Sequence, residues 1–361
     1  MNYFKIFLII FISSNFFTCK GQLDLVDKRP ESKPSILGKS VSQIDNQIWE
    51  VFQDSKSNYW FGSNGCGAYH YDGSNLKQFT SDDGLVHNQI RGIQEDGIGN
   101  IYFETVHGIS KYDGNNFITL EPIISADNNW KLKQDDLWFG CLIKGLYRYD
   151  GTSLFELRLP EQDLKAAFGS DLNEGAFTSN DRGPYLVYGI DKDREGNLWF
   201  GTERAGAFRY DGKSFLWFGE KELSTLPDGR VPGVRSMLQD KAGYFWLSNF
   251  YSKYKINPFT PKGYEKVKAM DIPDSISKDK ILYFNSGIID KEGDLWMTTY
   301  HGGVWKYDGR SLSNIEIHNG KETVLLICIY QDHDGVIWLG THNDGVYRKN
   351  GKRFEKFEIK I

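Results

Sequence analysis

Several things are scarce in this chain of 361 residues, and each scarcity removes a class of protein. There are only four cysteines, at positions 19, 66, 141 and 328, and no two of them stand at C-x-x-C spacing. Once Cys19 is set aside the remaining three are an odd, scattered set, so neither a disulfide framework nor a zinc site is indicated and they read as buried thiols. Basic charge is not in excess: 43 Lys and Arg stand against 48 Asp and Glu, a net charge of −5, which argues against a nucleic-acid partner. No apolar run reaches the ~20 residues that a membrane-spanning helix needs. Gly-x-Ser-x-Gly and His-Glu-x-x-His are absent, and Gly38-Lys39-Ser40 is no phosphate loop because Lys33 stands where glycine is required. Proline and methionine are few, ten and four. What is abundant is aromatic and glycine residues: 10 Trp, 20 Tyr, 24 Phe and 38 Gly, a mixture that favours strands and tight turns over helices.

The N-terminus reads as an address. Lys5 precedes an apolar stretch from Ile6 to Phe17, interrupted by Ser13, Ser14 and Asn15, as expected of a signal peptide over residues 1–18. Its end, Phe16-Phe17-Thr18-Cys19, resembles the lipobox of bacterial lipoproteins, although Phe16 and Thr18 depart from the usual leucine and small residue. The resemblance implies acylation at Cys19, with attachment to the membrane through that lipid alone, in the cell envelope of a Gram-negative bacterium, facing the periplasm or the cell surface. Residues 19–44 are polar, hold Pro30 and Pro34 and lack periodicity, which predicts a flexible tether.

From there a repeat takes over. An aromatic strand recurs seven times, around Trp60, Tyr102, Trp138, Trp199, Trp246, Trp296 and Trp338, with a mean period of about 46 residues. A turn of the form Asp-x-x-Gly precedes it, as at Asp96 to Gly99 and Asp193 to Gly196, and a Tyr-Asp-Gly hairpin turn follows, as at Tyr71-Asp72-Gly73 and Tyr210-Asp211-Gly212. Four strands per repeat and seven repeats predict an all-β fold, a single seven-bladed β-propeller of four-stranded antiparallel blades over residues 45–361. Three units depart from the pattern. The third shortens its first turn to Asp135-Asp136, the fifth has Ile256-Asn257-Pro258, and the seventh has Lys349-Asn350.

These motifs resemble the two-component regulator propeller repeat. Asp193-Arg194-Glu195-Gly196-Asn197-Leu198-Trp199-Phe200-Gly201-Thr202 with Arg209-Tyr210-Asp211-Gly212 carries the likeness most fully. In that family such propellers usually form periplasmic sensor regions of hybrid histidine kinases, and many are associated with carbohydrate sensing. With one propeller and no kinase, this chain is expected to work through another protein, as an accessory sensor or recognition module.

The recurring turns predict scaffold roles, as do the seven aromatic positions. The EF-hand-like Asp332-His333-Asp334-Gly335 lacks the other loop ligands, so no metal and no cofactor are expected. The loops that differ from blade to blade are the candidates for function. Arg204, Tyr251, Tyr300, His301, His342 and Asp344 are expected to ring a pocket that suits an oligosaccharide or another polar ligand. Insertions at 158–186 and 259–284 would cap it. Two competing readings are a scaffold that binds an envelope or signalling protein, and a metal-dependent lyase. The second rests on a likeness to streptogramin lyase blades, with His301, His342 and Glu203 as the residues to watch.

Overall fold

The computed structural model describes residues 37–124, 130–141, 145–169, 183–225, 229–269, 283–320 and 322–359. The seven repeats form seven sheets arranged as the blades of a propeller. Six have the expected order of four antiparallel strands. Their innermost strands, which face the axis, are Ile48–Gln53, Ile90–Glu95, Val187–Lys192, Met237–Gln239, Ser286–Ile289 and Leu326–Gln331, in blades 1, 2, 4, 5, 6 and 7.

One carboxylate per repeat explains why the motif is so regular. In blade 4, Asp193 Oδ1 accepts the N–H groups of Glu195 and Asn197, which closes the turn, while Oδ2 accepts the indole N–H of Trp199 and Nε of Arg209. The same indole-to-carboxylate bond spans 2.7–3.0 Å at Trp60–Asp54, Trp246–Asp240, Trp296–Asp290 and Trp338–Asp332. In blade 2, Tyr102 donates its hydroxyl to Asp96 instead, at 2.9 Å. Each large ring is thereby buried with its polar atom satisfied. The Asp-x-x-Gly glycines sit at positive φ; blade 1 alone puts a side chain there, Ser57 at φ 66°. At the opposite hairpin the Tyr-Asp-Gly carboxylate caps two backbone N–H groups, as Asp72 does for Ser74 and Asn75. Asn257 takes over part of this task in blade 5 by accepting from Phe259 N.

Blades pack through a second repeat position, the glycine of Trp-Phe-Gly. A Cβ on Gly62 would stand 2.6 Å from Ile90 Cγ2, one on Gly201 2.2 Å from Val234 O, and one on Gly340 2.6 Å from Ile48 O. Glycine here lets the inner edge of the next blade close in. Blades 2, 5 and 6 depart from glycine with Glu104, Ser248 and Thr298; the blade after the long Glu104 side chain is the irregular one, while those after Ser248 and Thr298 keep their inner strands. Blade 3 contains Leu137–Cys141, Gly145–Tyr149 and Leu154–Leu157, and its fourth strand, Pro122–Ile124, pairs in parallel with the outermost strand. Among the described residues no strand pairs the axial edge of Leu137–Cys141, so the expectation of four antiparallel strands fails in this blade. The physical reason lies in Trp130, which carries the incoming chain between blades 3 and 4 by stacking on Trp138 and packing edge-on against Phe200 and Phe215.

Among the described residues no strand is exchanged between the ends to close the ring. Gln53 of blade 1 donates its N–H to Tyr330 and accepts from His333 N, Tyr59 donates to Asp332, and Gly345 N donates to Asn46 O at 2.7 Å. Phe357 packs across onto Phe61 and Tyr71. Lys39–Ser40 pairs with the outer strand of blade 1, and Val41 and Ile44 pack into the cluster beneath it. Residues 37–44 therefore belong to the propeller rather than to the tether. The rest of the expected tether, the signal peptide and Cys19 lie outside the described residues.

Candidate functional site

Four innermost strands carry a β-bulge at their first turn of register: between Ile48 and Glu50, Ile90 and Gly92, Val187 and Gly189, and Leu326 and Cys328. The extra residues are Trp49, Arg91, Tyr188 and Ile327, and all four line one axial cavity of ≈ 660 Å³. A bulge leaves a residue unpaired and re-aims its side chain, so the backbone that builds the ring also delivers four variable groups to its centre. Tyr300, His301 and His342 join them from the loops between second and third strands. On one side the rings and charges form a ladder: His342 lies 5.9 Å from the Trp49 ring, and the Arg91 guanidinium sits 4.0 Å over that ring. Across the cavity Arg235 stacks 4.1 Å over Tyr188.

The axial wall is electrostatically dense. Burial pushes Glu50 up to about 8, with Glu104 adding to the rise and Arg91 opposing it. Burial raises Glu104 to about 8 as well, against the lowering effect of the Gly140 N–H and of Arg91. Asp191 rises to about 6 for the same reason, although it accepts the N–H of Met237 at 2.9 Å. At neutral pH Glu50 and Glu104 hold protons that exposed carboxyls would have lost, and they can donate as well as accept hydrogen bonds, whereas Asp191 is mostly ionised. Arg235 keeps its charge: burial works against it, but the hydroxyls of Tyr283, Tyr300 and Tyr188 outweigh that and leave its pKa raised.

Of the six residues expected to form a pocket, Tyr300, His301 and His342 are brought together. The other three are not. Arg204 lies under the first insertion, its backbone N–H bound to Pro184 O. Tyr251 is 42% exposed and stands outside the cavity. Asp344 is buried in a structural role, accepting from Asn319 and Lys356 and from the hydroxyl of Tyr347. Glu203 is likewise buried and outside the cavity. Missed by sequence reading were Trp49, Glu50, Arg91, Glu104, Tyr188 and Arg235. Glu104 was the most legible of them, because it replaces the repeat glycine. The described parts of the two insertions do not line the cavity either. The short helix Leu164–Phe168 packs on the rim of blade 4, with Phe168 against Trp217, while residues 170–182 and 270–282 lie outside the description.

Residues 321–343, the first half of blade 7, match the family model described as two component regulator propeller. No curated protein matches the chain. Among solved structures, the extracellular domain of the hybrid two component system BT4673 from B. thetaiotaomicron is similar, at 22% identity and a TM-score of 0.55. The match covers 85% of this chain but 40% of that one, so the chain spans well under half of its length. Virginiamycin B lyase from Staphylococcus aureus, with Quinupristin, aligns at 13% identity and a TM-score of 0.57, covering 86% of this chain and 97% of that one. YCF48 bound to D1 peptide aligns at 9% identity and a TM-score of 0.53, over 90% and 98% of the two chains. Among the described residues no helix is long and apolar enough to cross a membrane. The likenesses establish the fold, and the chain is a seven-bladed propeller that carries the two component regulator propeller repeat.

Proposed function

We propose that this chain is an extracytoplasmic binding propeller, lipid-anchored through Cys19 in a Gram-negative envelope, whose axial cavity takes a polar ligand and whose occupancy is read by another envelope or signalling protein. The observation that carries this reading is the set of four bulges, each handing a different side chain into one cavity where tryptophan and tyrosine rings alternate with guanidinium and imidazole groups. Flat rings suit the apolar faces of a sugar, and the charged and protonated groups suit its hydroxyls, which makes an oligosaccharide the first class to test. The cavity's size falls within the ~300–1,000 Å³ typical of small-ligand sites.

The test is thermal unfolding of the protein against a panel of oligosaccharides. Ligand at 100 times its dissociation constant adds about 2.7 kcal/mol, and Trp49→Ala or His342→Ala should abolish the shift while Tyr251→Ala leaves it intact. No shift with any sugar would instead favour the scaffold reading. A second reading, propeller lyase, keeps one supporting observation, that His301 and His342 share the cavity. Turnover of a cyclic depsipeptide that is lost in His301→Ala would establish it, and turnover unchanged by that substitution would remove it.

A further inference from the structure

Beside the axial cavity, and sharing its wall at Glu50, Arg91 and Glu104, lies a second cavity of ≈ 670 Å³ that runs along the axial edge of Leu137–Cys141. It occupies the place that an innermost strand fills in the six regular blades. We propose that this gap receives an extended, cationic peptide segment of another protein, which adds as the innermost strand of blade 3, antiparallel to Leu137–Cys141.

Three observations carry this. First, the edge bonds to side chains where its counterparts bond to a strand: Gly140 N–H donates to Glu104 Oε2 at 3.1 Å, and Trp138 C=O accepts from Gln94 Nε2 at 2.6 Å. A peptide backbone offers the same acceptor and donor at those points, so an incoming strand can replace both contacts. Second, the gap is written into the neighbouring blade. At the position that is glycine in blades 1, 3, 4 and 7 and a small side chain in blades 5 and 6, Ser248 and Thr298, blade 2 has Glu104, whose longer side chain reaches the Gly140 N–H across that space. Third, the walls are acidic: seven carboxyl groups face the gap against Arg91, Lys192 and Arg235. Glu95 and Asp135 line it near the Asp-x-x-Gly turns, with Glu104 and Glu50 further along the wall. Lysines on alternate positions of an extended segment would meet these groups, and an ammonium brought beside Glu104 would favour release of its proton. The inference stands apart from the sugar reading, because it concerns the edge of Leu137–Cys141 and a different class of partner, although the two cavities meet at Glu50, Arg91 and Glu104.

The test uses the purified full chain and a labelled acetyl-Val-Lys-Val-Lys-Val-Lys-amide peptide, followed by fluorescence anisotropy and by amide hydrogen exchange. Binding should slow exchange at Trp138 and Gly140 at least tenfold and leave Leu198–Thr202, already paired on both edges, unchanged. A peptide with proline at its third position, which cannot donate there, should bind at least tenfold more weakly. Glu104→Gln, which keeps an acceptor for Gly140 and removes the carboxyl that a bound lysine would ionise, should weaken the parent peptide by a similar factor. Equal binding of the two peptides, binding without protection of Leu137–Cys141, or no binding at millimolar peptide each overturns the proposal, whatever the sugar panel gives. The proline control is on the peptide, so the answer does not depend on any variant folding.

Discussion

Blades 3 and 4 are neighbours with nearly the same middle strands, Leu137-Trp138-Phe139-Gly140 and Leu198-Trp199-Phe200-Gly201, yet they are built differently. In blade 4 one buried aspartate satisfies the turn, the tryptophan and an arginine together. In blade 3 the residue six before the tryptophan is Leu132. Among the described residues the Trp138 indole N–H has no hydrogen-bond partner, and Arg148 faces Asp136 at 3.6 Å, with Nε and Nη1 also left without a hydrogen bond. The contrast shows that the aromatic strand does not by itself create the innermost strand. The aspartate turn does, by fixing where the chain reverses before the tryptophan is placed.

The sharpest way to break this contrast is to remove the carboxylate from each blade. Asp193→Ala strands five donors and should cost about 3–5 kcal/mol, whereas Asp136→Ala should cost about 1–2 kcal/mol. Urea unfolding of the two variants checks it, and equal losses would mean that the Asp193 cluster is not the organising centre. Next in size is the glycine position. Gly201→Ala drives a Cβ to 2.2 Å from Val234 O, against 2.9 Å from Val187 O for Gly140→Ala. The first should cost about 1–3 kcal/mol and the second less, read by thermal unfolding.

Blade 1 offers a gain rather than a loss. Ser57 holds the positive φ that glycine holds in its counterparts, so Ser57→Gly should stabilise by about 1 kcal/mol. The pH dependence is the gentlest probe. The folded pKa values of Glu50 and Glu104 are raised to about 8, so between the ordinary carboxyl range and pH 8 the native state binds more protons than the unfolded one. Their contribution is complete below about pH 4 and is lost as pH rises toward 8. Stability should therefore fall over that window, and Glu50→Gln with Glu104→Gln should flatten the slope. A slope unchanged in the double variant would show that other groups set it.

Much of the fold was legible because its requirements are local. Positive φ at Gly196, a capping carboxylate at Asp211 and a ring six residues after Asp193 all act within a few residues, and seven repetitions made the pattern unmistakable. The site was half legible. Tyr300, His301 and His342 announced themselves as variable loop residues, but Arg204, Tyr251 and Asp344 looked the same and lie elsewhere. The bulge residues were hidden for a different reason. Trp49 and Tyr188 sit inside strands that read as ordinary core, and only the two-for-one pairing opposite the second strand turns them toward the axis.

The sequence alone determined the number of blades, the turns and the scaffold carboxylates, since each depends on short-range sterics and hydrogen bonds. Tertiary structure alone decided which side chains meet at the axis and that, among the described residues, no inner strand pairs with Leu137–Cys141 in blade 3. Those outcomes depend on packing between residues far apart in the chain: Trp130 filling the seam between blades 3 and 4, and Glu104 reaching Gly140 across the place of an absent strand. A one-dimensional pattern records such contacts only where, as at Glu104, it breaks its own rule.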